Sequence, residues 1–512
     1  MNKLVTIIGG LGIVMSVSCS NEFLHLDDPN NATEETFWKT EQDALLGLAG
    51  VLDAYQSNNL MGKRYREFDH LTDNATTVNN QGWLEFENDT HTPSSDRVKS
   101  TWTSFYTVIS RANEVMERTT ALPEEVISAE SRARIIAEAA FLRAYAYHDL
   151  VALWGAVPLY LESKGAFSTP EEATSKEEVI DFLLTDLTTH VIPNLPEAVL
   201  AAENGRIARG AAQALVGKLH LLRDDWEAAA AVFKEIIDAG NYALYPDFGT
   251  LFTESGEFSE ESLFEINFVG SALDRGEQFS TRVDTNLAPT IPAMFWTPLT
   301  SLRDSYLAID GKPIKEDTLY GSKSPLYNSR RPYDNRDPRF QATLYTAADT
   351  MANGAVVWKI GTSGNSTLAI KKYSILSSEQ VQNQGPQNYY VIRYAEVLLS
   401  YAEAQNEAVG PDQSVYDAVN AVRDRVSMPH LPEGLSQHEM QQYIRDERRW
   451  EFALEHQRFF DLKRWGILGP TAHAAMPTKK FYSEPRIHNW PYPLEEMDRN
   501  PALAEQGQND GY

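Results

Sequence analysis

A chain of 512 residues with 42% apolar and 11% aromatic side chains can bury a large core, as one big domain or two to three interlocked ones. Its 72 acidic residues outnumber 45 basic ones, and the resulting formal charge of −27 repels nucleic acid and anionic lipid headgroups. The single cysteine excludes an internal disulfide framework.

Residues 1–18 read as an export signal: Lys3, an apolar run from Leu4 to Val17, and the small residues Ser16-Val17-Ser18 at its end. The run is shorter than the roughly 20 apolar residues that a membrane-spanning helix needs. Cys19 then becomes the first residue of the mature chain, where a thioether-linked diacylglycerol would make the protein lipid-anchored. An ordinary cleaved signal with an incidental cysteine is the other reading. Cleavage removes one base and no acid, so the mature chain is one charge more negative. Residues 19–39 form a polar tether and the start of the fold.

Residues 40–247 carry mainly helical signals. From Thr40, the spacing of Ala44, Leu45, Leu48, Val51, Leu52 and Tyr55 gives one apolar face. Lys63 to Ser95, with Asn74, Asn79, Asn80, Gln81-Gly82 and Pro93, predicts a long surface excursion. Two long helices follow, Trp102–Glu117 and Ala129–Trp154. The second is apolar almost all round in its later half, as a central buried helix should be, and Gly155 and Pro158 stop it. Thr169-Pro170-Glu171-Glu172 is a capping box with proline at the first helical position, and it predicts another helix start. Over Ala208–Ala239, Gly217, Ala229 and Phe233 keep the offsets of a tetratricopeptide helix pair, and a similar pair recurs at Arg393–Glu407 and Ser414–Val426. Generic helical hairpins without repeat ancestry also fit.

Residues 248–388 differ in kind. Rich in Pro, Gly, Asn and Asp, they predict loops with a few short strands, at apolar runs such as Leu263–Val269 and Val356–Ile360. Helix is expected to return at Tyr389 and to dominate residues 389–512, ending in an extended, proline-rich tail. Leu435 to Met440 combines a capping box with a hydrophobic staple and opens a helix predicted to run to about Glu455.

Glu447, Glu451 and Glu455 share one face of that helix, with Arg448 and Arg458 in reach. Two such carboxylates could flank a glycosidic bond; a structural ion-pair network is the other reading. The eleven histidines include no HExxH, and no GxSxG elbow, P-loop or dinucleotide-binding glycine pattern occurs. The sequence therefore nominates no catalytic residue, metal or cofactor. Trp83, after Asn79-Asn80-Gln81-Gly82, and Trp296, in a proline-bounded loop, could present flat indole faces to the apolar face of a sugar ring. Asp73, Asn74 and Asn80 could bond its hydroxyls. Loop tryptophans can equally plug gaps in a core.

Several segments, in order, resemble the SusD/RagB family of outer-membrane nutrient-binding lipoproteins: Thr33–Ala44, Tyr106–Asn113, Arg143–Leu159, Asp310-Gly311-Lys312-Pro313, Asn335–Arg339, Arg393–Leu399, Glu447–Phe452 with Arg458–Gly466, and the ending Trp490-Pro491-Tyr492-Pro493 through Gln508–Tyr512. The resemblance covers nearly the whole mature chain. It implies an all-α fold of tetratricopeptide-like helix pairs with a loop-rich capping region. It also implies noncovalent capture of an oligosaccharide or other nutrient, no catalysis, and a SusC-like TonB-dependent transporter as partner at the outer membrane. Ligand-binding aromatics in the family come from segments matching Lys63–Ser95 and the loop before the Asp-Gly signature, which points to Trp83 and Trp296. A helical-repeat scaffold that binds only proteins, and a glycoside hydrolase using Glu447 or Glu451, are the competing functions.

Overall fold

The computed structural model describes residues 37–77, 82–163, 170–199, 201–270, 276–279, 296–346, 368–374, 384–481 and 483–512. The expected start at Thr40 holds. Thr40 caps helix α1 (Glu41–Tyr55) through a capping box with Asp43, and Ala44, Leu48, Val51 and Tyr55 are buried. Two 26-residue helices follow, α2 (Asp96–Ala121) and α3 (Ala129–Trp154), which pack on each other and on α1. From Ala137 to Trp154 every residue of α3 is buried, which explains its nearly continuous apolar sequence. Gly155 ends it at φ 74°.

Helix α4 (Lys176–Asp186) packs against α3. It starts at a Ser175/Glu178 capping box, not at the Thr169–Glu172 signal, which lies partly outside the described residues. Residues 170–175 are held extended instead. Thr174 bridges to Val157, Asn500 Nδ2 donates to Glu171 O at 2.7 Å, and Gln506 makes both backbone bonds to Ala173. These tertiary bonds outcompete a local cap.

Helices α5 (Arg209–Leu221) and α6 (Trp226–Ala239) form the predicted pair. A Cβ on Gly217 would stand 2.5 Å from the Phe233 ring, so only glycine permits this approach. Helix α7 (Tyr394–Val409) packs on α6, then on α8 (Gln413–Arg425) and α9 (Gln437–Glu451). The Ser436/Glu439 capping box opens α9 as predicted. It closes at Glu451, four residues early, because the chain turns through Leu454 and His456 at positive φ into α10 (Gln457–Arg464). That turn aims Glu455 at Lys372 and Arg393, 2.8 Å from each.

Among the described residues, the strands form three short antiparallel ribbons: β1 (Ala75–Thr77) with β3 (Trp296–Pro298), β2 (Ser262–Ile266) with β6 (Tyr389–Arg393), and β4 (Leu344–Tyr345) with β5 (Ala369–Ile370). Strand β2 matches the predicted Leu263–Val269 run; Val356–Ile360 lies outside the described residues. Tyr389–Arg393, expected to begin a helix, is β6, a fully buried aromatic and β-branched run that favours strand. The fold is thus mainly α, as expected. Its tail is less extended than predicted, folding into two short helices, Leu494–Arg499 and Pro501–Gln506.

Candidate ligand site

The first half of the segment expected to be a surface excursion, residues 63–77, instead runs through the interior. Every residue of the turn Arg66–Leu71 is buried, and its charged groups are met from other parts of the chain. Arg66 donates to Leu454 O and Lys372 O at 2.9 and 3.2 Å. Burial pushes the Asp69 carboxyl up to about 6, eased by Asn74 Nδ2 at 3.1 Å and His456 N at 3.4 Å. Polar composition suggested exposure because these partners are distant in sequence.

Strand β1 leaves this buried turn and pairs with β3 in the register Ala75↔Pro298, Thr76↔Thr297, Thr77↔Trp296. The base of the ribbon is fixed on three sides. Glu87 accepts from Thr76 Oγ1 at 2.8 Å and Thr77 N at 3.0 Å, and Lys479 holds its other oxygen at 2.9 Å. Leu299 N donates to Asn74 O at 2.8 Å. The ribbon therefore joins, at their stems, the segments leading to Asn80 and Trp296, which lie more than 200 residues apart in sequence.

The nominated residues separate into two groups. Three of them belong to the foundation. Asp73 accepts from Arg458 at 2.9 and 3.0 Å and pairs with Arg449 at 3.0 Å. Burial would raise its carboxyl, but these two guanidiniums hold it below the usual carboxylate range. Asn74 Oδ1 accepts from Arg449 Nε at 3.0 Å. Trp83 is 1% exposed and donates Nε1 to Glu67 at 2.7 Å. Its indole packs among Phe68, Phe86 and Trp490, with the Arg97 guanidinium 5.6 Å from the ring. Here the core-plugging alternative applies, and the expectation that Trp83, Asp73 and Asn74 face a ligand is corrected. Their side chains already have protein partners. Trp296 is placed through its β3 backbone, whereas Asn80 and Cys19 lie outside the described residues. Sequence reasoning missed Glu87 as the brace of the ribbon; an acid set between Phe86 and Asn88 gave no periodic signal.

The carboxylates of α9 are bound on both oxygens. Glu447 accepts from Arg339 at 2.6 Å and Arg423 at 2.7 Å; Glu451 accepts from Arg393 at 2.6 Å and Arg425 at 2.5 Å. Both side chains are 0% exposed. Against the upward push of burial, Arg425, Arg393 and Arg339 hold Glu451 far below the ordinary range. This geometry is that of a buried ion-pair network, with both carboxylates taken up by guanidiniums. Among the described residues no group of three or more His, Cys, Asp or Glu side chains is arranged to hold a metal ion.

Two family models match the chain. One, described as the SusD family, covers residues 260–512; the other, described as starch-binding associating with outer membrane, covers residues 22–221. A SusD-like protein of Formosa agariphila is 25% identical over the whole of both chains. One from Bacteroides ovatus is 24% identical over 88% of this chain and 80% of the relative. Among solved structures, a SusD-like carbohydrate binding protein from Bacteroides fragilis superposes with a TM-score of 0.80 at 26% identity, covering 91% of this chain and 100% of that one. A laminarin binding SusD-like protein superposes at 0.70 with 25% identity, over 93% and 100% of the two chains.

Proposed function

This chain belongs to the SusD/RagB family, and from that premise we propose that it captures an oligosaccharide noncovalently at the cell surface and delivers it to a SusC-like TonB-dependent transporter. The pairing of β1 with β3 is the observation that carries the proposal. It sets Trp296 on β3 beside Thr77, three residues before Asn80, and a buried foundation holds that stem in place. Rigid placement lowers the ordering cost of binding, which suits recognition by stacking and hydroxyl hydrogen bonds. Trp296 supplies the stacking face and Asn80 a hydroxyl partner. Cys19 carries the lipid anchor in the outer membrane.

Calorimetric titration of the soluble chain beginning after Cys19 tests this reading, with laminarin, starch, xylan and pectin as probes. At least one polysaccharide binds, and Trp296→Ala weakens it by about tenfold or more, as loss of an aromatic anchor does. No binding to any glycan, or unchanged affinity in both Trp296→Ala and Asn80→Ala, overturns the site. Reducing ends do not accumulate during incubation. Palmitate labels the full-length protein in cells but not its Cys19→Ser variant, and the transporter barrel copurifies with the wild type.

A further inference from the structure

The two segments that the β1–β3 pairing joins, residues 74–84 and 285–302, contain no Asp, Glu, Lys or Arg, in a chain of which 23% is charged. Apart from the indoles of Trp83 and Trp296, their polar side chains are Asn, Gln, Ser and Thr alone. Charge returns at once on their borders, at Asp73, Glu85, Asp284 and Arg303. The cations around the stem are already matched by acids of the chain. Arg449 and Arg458 meet Asp73 at 3.0 and 2.9 Å, Lys479 meets Glu87 at 2.9 Å, and Arg303 meets Asp304 at 2.6 Å.

Resting on the capture proposed above, we infer that the glycan taken at the ribbon is neutral: hexose or pentose units whose hydroxyls are not replaced by uronate, sulfate or phosphate groups. Amides and hydroxyls both donate and accept, as sugar hydroxyls do. Oxyanions are recognised instead by Arg and Lys, whose N–H donors carry the opposite charge. With the stem cations taken, a uronate or sulfate loses water there without gaining a counter-charge, and that loss is costly. The formal charge of −27 acts in the same direction, because its field repels a polyanion before any contact forms. A neutral chain meets neither penalty.

Affinity electrophoresis and calorimetry of the soluble chain beginning after Cys19 test the ligand class. Laminarin, starch and unsubstituted xylan are set against polygalacturonate, alginate and chondroitin sulfate. At least one neutral glycan binds, Trp296→Ala weakens it, and its Kd is the same at low and at physiological salt. The sulfated derivative of that glycan binds at least about tenfold more weakly, and added salt narrows the gap by screening the repulsion. A sulfated derivative that binds as tightly as its parent overturns the neutral class. So does a polyanion held, in a Trp296-dependent way, at least as tightly as any neutral glycan; capture at the ribbon then still stands. If nothing in either set binds, capture itself fails and the ligand class falls with it.

Discussion

Glu451 is buried among three arginines, and its charge is worth keeping only while they surround it. Glu451→Gln leaves Arg393 and Arg425 undercompensated in the interior, a change that costs about 3–5 kcal/mol in other buried ion pairs. Urea denaturation at neutral pH measures it. Because the folded carboxyl titrates far below its unfolded value, its contribution is present above the unfolded pKa and lost as pH falls through the acid range. Glu265 has the opposite sign. Its pKa is raised to about 8 on folding, so its favourable contribution is full below the unfolded value and is lost as pH rises toward 8. Thermal melts of Glu265→Gln therefore gain on the wild type between pH 5 and pH 8, by at least about 1 kcal/mol. At this scale the sequence was half legible. The spacing of Glu447, Glu451 and Glu455 announced a charged cluster on one face. Trp83 carried no local sign of its burial, because Phe68 and Trp490, which enclose it, come from a neighbouring turn and the distant tail.

The elements most legible in the sequence were those stabilised by their own residues. Helices α1, α3, α5 and α9 begin where predicted, or within one residue, since caps and apolar spacing are local properties. Ser436→Ala removes the α9 cap and lowers stability by about 1 kcal/mol, read as a shift in the urea midpoint. The α5–α6 pair is more sensitive. Gly217→Ala drives a methyl group into the rigid Phe233 ring, and overpacking of this kind costs about 1–3 kcal/mol. Calorimetric melting checks the loss, which a second substitution, Phe233→Leu, offsets in part. Strand β6 and the start of α4 were misread for one reason: their backbone partners are β2 and the C-terminal tail, more than 100 and more than 300 residues away.

Across the molecule, long-range bonds bind the two halves into one unit. The ion network reaches from Glu261 through Arg339, Lys372 and Arg393 to Glu451 and Glu455. The tail crosses to the other side, where Trp154 Nε1 donates to Pro491 O at 2.8 Å and Asn509 Nδ2 donates to Trp154 O at 2.9 Å. Trp490→Ala, at a side chain 1% exposed, therefore costs about 3–5 kcal/mol and lowers the melting temperature of the whole protein. A single calorimetric transition is expected, and a separate early transition of the N-terminal helices would contradict it. By itself the sequence determined the helical class, the main helix starts and the family likeness, all of which rest on local spacing or on motif order. Only the tertiary structure decided that residues 63–77 are largely interior, that Trp83, Asp73 and Asn74 are foundation, and that β1 meets β3. Burial and strand pairing depend on which distant segments arrive together, and that information is spread over the whole chain.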